Sequence, residues 1–178
     1  WALGHLDATP KEFVSLLSVA AAWAMAVLRL AQGCEEPGVK LMSVPAPSEF
    51  YKRFRGDPEA AQREALQAGQ AVGRTLMAEL HITSDDLQAL AQVLNAFGRK
   101  TGTLVTIRGD RVESVNTAFC PMMTSALTLN IPWKWLCPNL GWPLIRGIAH
   151  AVNPKAELKM GSWRADGASV CEHFVEIE

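Results

Sequence analysis

Near residue 100 the apolar pattern of the chain changes from a helical period to a strand period, and this change constrains the fold most. Residues 57–80 and 84–98 carry the apolar stripes of two amphipathic helices. Residues 103–108 and 111–119 then alternate with period two on either side of Gly109-Asp110, a typical hairpin turn. Helices followed by hairpin-connected strands indicate an α+β fold.

The rest of the chain returns to a helical pattern before it ends in strands. Cys120-Pro121 is predicted to start a helical piece, because proline fits the first position of a helix. Cys137-Pro138 is predicted to open a second helix, which ends near Asn153-Pro154. Residues 155–164 and 170–178 are predicted strands. We therefore expect N-terminal helices packed on a mostly antiparallel sheet of about four strands, with a helical crossover between strands 2 and 3.

Composition narrows the class of protein and of partner. The chain has 178 residues, a length that suits a single domain with a sizeable core. Its net charge of -1 provides no broad basic field for nucleic acid. The first residues have no secretory leader pattern, and four cysteines in a chain of this length do not make a disulfide scaffold. We expect a cytoplasmic protein that binds neither nucleic acid nor membrane.

Within the single domain, residues 1–56 are predicted to form an apolar helix with a connector, and residues 57–178 the α+β core. The helix is expected from Thr9 to about Gln32, and its stretch Phe13–Leu28 carries no charge. That stretch is short for a membrane span, which needs about 20 apolar residues. It fits either a buried core helix or the seam of a dimer, and we expect a homodimer.

The connector is predicted to be long for a plain loop. It runs from Cys34 to Gly56 and contains three prolines, so it is a candidate lid over a site. Phe50, Tyr51 and Phe54 are either its apolar anchors or residues that pack on the surface.

Three of the four cysteines lie in the last third of the chain, at Cys120, Cys137 and Cys171. A thiol at a helix start lies near the positive end of the helix dipole, which lowers its pKa and favours thiolate. Cys171 and His173 share the apolar, inward face of the last strand by period two. The fourth cysteine, Cys34, lies beside two glutamates past a predicted helix end, so it is the least suited to a functional role.

These residues predict a cysteine-centred site without fixing its chemistry. Three thiols and His173 suit a tetrahedral Zn²⁺ site, or a catalytic site if one ligand is replaced by an activated water. Zn²⁺ or another transition metal is thus one hypothesis, although no CxxC pair occurs. A cysteine nucleophile without metal and plain buried cysteines are the others. An aromatic-walled binding pocket is predicted from the tryptophans nearby in sequence, with Trp133, Trp135 and Trp142 as candidates for substrate binding.

The stretch from about Ala65 to the end resembles a family group of 4-vinyl reductase-like domains and L-2-amino-thiazoline-4-carboxylic acid hydrolases. The resemblance rests on QAGQAVGRTL at residues 67–76, FCP at 119–121, LCP at 136–138, AVNP at 151–154 and DGASVCEHFVEI at 166–177. The chain lacks the regular cysteine and glycine pattern that the 4-vinyl reductase-like domains have in the crossover.

The resemblance implies that Cys120, Cys137 and Cys171 gather around a small-molecule or metal site. It favours a hydrolase that opens a C–N bond of a small heterocyclic or amidine-like compound. Cys120 would then be nucleophile or metal ligand, and His173 acid, base or ligand. The alternative is a binding domain, a sensor or carrier without chemistry. Haem binding is a third hypothesis, because Cys-Pro can ligate haem.

Overall fold

The computed structural model describes residues 46–99, 102–117 and 120–178. In this part of the chain, helices pack on one face of a four-stranded antiparallel sheet with the strand order β1-β2-β4-β3, which confirms the predicted α+β class. The helices are α1 (Pro47–Phe54), α2 (Pro58–Glu79), α3 (Leu87–Gly98), α4 (Pro121–Leu129), α5 (Trp133–Leu136) and α6 (Trp142–Val152). The strands are β1 (Thr103–Arg108), β2 (Arg111–Asn116), β3 (Ala156–Met160) and β4 (Cys171–Ile177).

Two aspartates fix where the long helices begin. Asp57 accepts a hydrogen bond from the Ala60 N–H at 3.0 Å at the start of α2, and Asp86 accepts one from the Ala89 N–H at 2.8 Å at the start of α3. Such side-chain caps satisfy backbone donors that have no partner within the helix. The predicted starts near Asp57 and Ser84 are therefore close to the observed ones.

The sheet places the end of β2 beside the start of β4. The hairpin turn Gly109-Asp110 joins β1 to β2, and Gly109 adopts the positive φ of 63° that such a turn requires. In the register of β2 and β4, Val112 lies opposite Val175, and Asn116 lies opposite Cys171. Val112 and Val175 are fully buried, so the face that also carries Cys171 is the one covered by helices, as period two predicts.

The crossover between β2 and β3 differs from the expected helix in one respect. Cys137-Pro138 does not open a helix but lies inside one, because the chain is already helical from Trp133. Residues Cys137–Gly141 form a single π-helical turn, in which the Trp142 N–H donates to the Cys137 carbonyl. Proline has no N–H for the helical ladder, and a π turn is one way in which a helix accommodates the missing bond.

Close packing of α2 against α6 holds this crossover in place. Gly69 lies against the backbone of Leu144, and Gly147 lies against the carbonyl of Leu66. A Cβ at either glycine would overlap backbone atoms of the facing helix. The glycines therefore set the separation of the two helices and, through α6, the position of the π turn.

Two groups of buried side chains stabilise the fold. The first lies between the sheet and helices α2, α3 and α6, and includes Leu90, Val93, Val112, Ile148 and Val175. The second lies between α1, α2, α4 and the crossover, and includes Phe50, Phe54, Ile131, Leu136 and Leu140.

The end of the predicted connector is part of this second core. Residues 47–54 form helix α1, whose Phe50 and Phe54 are buried, so they are anchors rather than surface residues. Residues 34–45 of the connector, the predicted helix 9–32 and the predicted strand end at Phe119 lie outside the described residues. Of the helices that are described, none is both long enough and apolar enough to cross a membrane.

Candidate functional site

Cys120 is the N-cap residue of α4, as its Cys-Pro pair predicts. Its backbone is extended, and its thiol is partly buried near the N–H groups of Met122 and Met123. Those N–H groups favour thiolate, but burial is the larger influence and raises the pKa of the Cys120 thiol above its usual range. The expectation of a lowered pKa at this helix start is therefore wrong.

Cys137 lies in the π turn and is buried, with 5% of its surface exposed. The indole N–H of Trp133 donates to its sulfur at 2.9 Å, and the Trp163 indole also stabilises the thiolate form. The Trp133 indole is hydrogen-bonded to the sulfur, whereas the Trp163 indole N–H has no hydrogen-bond partner among the described residues. Burial and the neighbouring Cys120 outweigh the influence of both indoles and raise the pKa of the Cys137 thiol to about 12. A lowered pKa was expected here too, on the basis of a helix start that the structure does not contain.

Cys171 is the first residue of β4 and is buried. The backbone N–H of Arg164 donates to its sulfur at 3.5 Å. The Arg164 guanidinium itself donates to Asn116, to the side-chain oxygen at 3.3 Å and to the carbonyl at 3.1 Å. Arg164 thus links the end of β2 to the turn that precedes β4. Cys171 lies beside this link, because it accepts from the Arg164 N–H and lies opposite Asn116.

We call Cys120, Cys137 and Cys171 the thiol cluster. Each of the three comes from a different element, yet they lie close enough to influence one another's ionisation. The charge of Cys171 raises the pKa of Cys120, and the charges of Cys120 and Cys171 raise the pKa of Cys137. The structure therefore places the three predicted cysteines near one another as free cysteines, and it keeps the thiols of Cys120 and Cys137 protonated.

His173 lies on the same inward face of β4, opposite Ser114 of β2 and Met160 of β3. Burial lowers the pKa of its imidazole to about 4, so the ring is neutral at physiological pH. A neutral imidazole is the form that binds metals and accepts protons.

The tryptophans divide between two places. Trp133 contacts Cys137, and Trp163 packs edge-on against Trp142 with ring centroids 4.9 Å apart. Trp135 instead packs edge-on against Tyr51 of α1 at 4.9 Å, in the second core. Of the predicted binding residues, Trp133 lies at the thiol cluster, Trp142 reaches it through Trp163, and Trp135 faces α1.

Thiols and imidazole are suitable donors for Zn²⁺ and other soft or borderline transition metals. Their arrangement is less suitable. In residues 46–99, 102–117 and 120–178, no group of three or more Cys, His, Asp or Glu side chains is placed so that it could hold a metal ion. A metal would be held by fewer protein ligands, or would draw the side chains of the thiol cluster together.

Two polar residues at the site were missed by the sequence analysis. Asn139, in the π turn, is buried; its amide donates to the Trp135 carbonyl at 2.7 Å and accepts from Gln62 of α2 at 3.1 Å. Asn116 accepts from Arg164 and lies opposite Cys171. The sequence signals that could have identified them are a single asparagine in an otherwise apolar helix, at Asn139, and an asparagine at the end of an alternating strand, at Asn116.

The chain matches no protein-family model, and none of the curated proteins is similar to it in sequence.

Proposed function

We propose that the protein is a binding domain whose thiol cluster takes up a thiophilic transition metal, with Zn²⁺ as the first candidate. The observation that carries the proposal is the approach of three free thiols from three different elements. Cys120, Cys137 and Cys171 are the proposed ligands, and the neutral, inward His173 is the proposed nitrogen ligand. Because no three of these side chains are placed to hold a metal in the described structure, the proposal requires them to move towards one another when the metal binds.

The ionisation of the thiols supports binding over catalysis by a free thiolate. A cysteine with a pKa of about 12 carries almost no thiolate at neutral pH, and the pKa of Cys120 is raised as well. A metal displaces these protons when it binds, so metal affinity is expected to rise with pH.

The test is the metal content of protein purified without chelator, followed by Co²⁺ and Zn²⁺ titration of the metal-free protein. We expect close to one metal per chain and a sulfur-to-cobalt charge-transfer band. Cys120→Ser, Cys137→Ser and Cys171→Ser should each weaken binding by more than the roughly 10–100-fold that an outer-shell partner is worth. Apparent affinity should rise about tenfold per pH unit for each thiol proton that the metal displaces.

Cys34→Ser is the matched control, because it removes the cysteine whose neighbouring glutamates in the sequence make it the least suited to a functional role. Wild-type affinity is expected for it. Metal-free wild-type protein that shows no charge-transfer band with Co²⁺ and no thermal shift with Zn²⁺ would rule out the metal proposal.

The predicted hydrolase is the second candidate, and one observation favours it. The sulfur of Cys120 lies beside the N–H groups of Met122 and Met123, which are donors for a negative charge that develops in a reaction. A bound metal would supply an activated water to such an enzyme. Turnover of 2-aminothiazoline-4-carboxylate or another cyclic amidine, lost in Cys120→Ala and reduced in His173→Ala, would establish it. Unchanged turnover in Cys120→Ala would exclude Cys120 as the catalytic residue.

A further inference from the structure

A polar groove of about 400 Å³ lies at the far end of the crossover from the thiol cluster. It is formed by the last two turns of α6, the turn that follows and the adjoining ends of β3 and β4. His150 is 13 residues after Cys137, which corresponds to roughly 20 Å along a helix. The groove is lined by Arg146, His150, Lys155, Ala156, Glu157 and Glu178.

Charges of opposite sign line the groove from different elements. The cations belong to α6 and to the turn after it, at Arg146 and Lys155, and the carboxylates belong to β3 and to the residue after β4, at Glu157 and Glu178. Within the described residues none of these four groups forms an ion pair. The neighbouring Lys159 is influenced by both carboxylates but donates its hydrogen bond to Glu176.

His150 adds a neutral polar group to the lining of the groove. Burial and the nearby Arg146 cation lower the pKa of its imidazole, so the ring is uncharged at neutral pH. The two cations and the two carboxylate side chains then balance, and they come from different elements.

We propose that this groove binds a small zwitterionic molecule of the amino-acid class, with its carboxylate at Arg146 and Lys155 and its ammonium group at Glu157 and Glu178. A simple anion would be attracted by Arg146 and Lys155 but repelled by the two carboxylates. A simple cation would be attracted by the carboxylates but repelled by Arg146 and Lys155. A ligand with both charges satisfies both sets at once. The volume is at the small end of the range of ligand sites, which suits such a molecule.

The affinity is expected to be modest. Arg146, Lys155, Glu157 and Glu178 are all exposed, and ion pairs between exposed groups contribute little each. A dissociation constant on the order of 1 mM is therefore expected.

The experiment titrates the full chain with a series of ω-amino acids of increasing charge separation: glycine, β-alanine, γ-aminobutyrate and ε-aminocaproate. Binding is followed by amide and His150 imidazole shifts in NMR spectra. One member should give saturable shifts confined to the groove, while acetate and methylammonium each bind at least about tenfold more weakly. The best member of the series measures the distance between the two sets of charges.

Arg146→Gln and Glu157→Gln should each weaken binding of the best ligand by about fivefold or more, and their effects should be similar. Arg63→Gln is the control, since it removes an exposed arginine of α2 that pairs with Glu59 outside the groove. Equal affinity for acetate and for the best amino acid would reduce the groove to an anion site and overturn the proposal. Absence of saturable shifts up to about 50 mM ligand would also overturn it.

Discussion

Burial governs the ionisation of Cys120, Cys137 and His173. At Cys120 the N-terminus of α4 favours thiolate, but the helix dipole at an exposed site is worth only about 0.3–1 kcal/mol. Removing a thiolate from water costs more, so the pKa of Cys120 rises despite its place at a helix start. Burial also keeps the His173 imidazole neutral, so protonating this ring lowers the free energy of unfolding.

We predict that His173 makes stability depend on pH in mildly acidic solution. Its pKa is about 4 in the folded chain, against an ordinary value of 6.5 in the unfolded chain. The unfolded state therefore binds more protons between these values, and stability is full above pH 6.5 and falls as the pH drops towards 4. The loss amounts to about 3 kcal/mol.

Urea unfolding of the metal-free protein at a series of pH values measures this dependence in the wild type and in His173→Gln, since a metal bound at His173 would add a pH dependence of its own. The difference in the free energy of unfolding between the two proteins should change by about that amount between pH 7 and pH 4. His81→Asn, which replaces an exposed histidine in a left-handed conformation that asparagine tolerates, should follow the wild type. Parallel curves for wild type and His173→Gln would contradict the prediction.

At residue scale, the sequence predicted which face a side chain occupies better than which groups it contacts. Period two was sufficient to place Cys171 and Val175 inward, because both are buried as expected. It could not reveal that Arg164 reaches Asn116, since the two residues are 48 positions apart. The ionisation of the thiols was out of reach for the same reason, because the surroundings that bury them come from distant segments.

At the scale of elements, the contact between α2 and α6 requires glycine at two positions, because the two backbones approach each other closely. Gly69 and Gly147 face each other across it, and a side chain on either would meet backbone rather than a movable side-chain end. Backbone cannot be displaced without moving a whole helix, so such a contact tolerates no added carbon.

We therefore predict that Gly69→Ala and Gly147→Ala each lower the free energy of unfolding by about 1–3 kcal/mol or more. The higher helix propensity of alanine offsets up to roughly 1 kcal/mol of this loss, which makes the net sign a direct test of the close approach. Gly56→Ala is the matched control, because nothing lies within 4 Å of its added Cβ, and its effect should be within about 0.5 kcal/mol. Chemical denaturation measures all three, and a neutral result for both Gly69→Ala and Gly147→Ala would contradict the packing.

The order of the elements, including a helical crossover between β2 and β3, was predicted from the sequence, but the residue at which the second crossover helix begins was not. The strands, the hairpin and the helix starts at Asp57 and Cys120 follow from local signals that the structure confirms. Cys137-Pro138 carries the same signature as a helix start, yet the helix begins five residues earlier, after Pro132. Local propensity cannot decide between two such prolines, because a π turn accommodates the second once the helix has begun.

For the whole molecule, the described residues form a sheet with two buried clusters that meet along α2 and the crossover. The thiol cluster is located where β2, β4, α4 and the π turn approach one another, so its geometry depends on both sides of the fold. The uncharged run Phe13–Leu28 lies outside the described residues.

We predict that this run makes the protein a homodimer. A surface helix needs an apolar stripe on one side, whereas Phe13–Leu28 has no charge on any side, and its alanines permit close approach of a second helix. Ala22→Glu and Ala26→Glu place a charge in the proposed seam and should convert the dimer to monomer or to aggregate. Gln67→Glu, on the exposed side of α2, introduces the same charge elsewhere and should leave the dimer intact. Light scattering at micromolar concentration distinguishes the states, and a wild type that is monomeric there would show that the run is buried within its own chain instead.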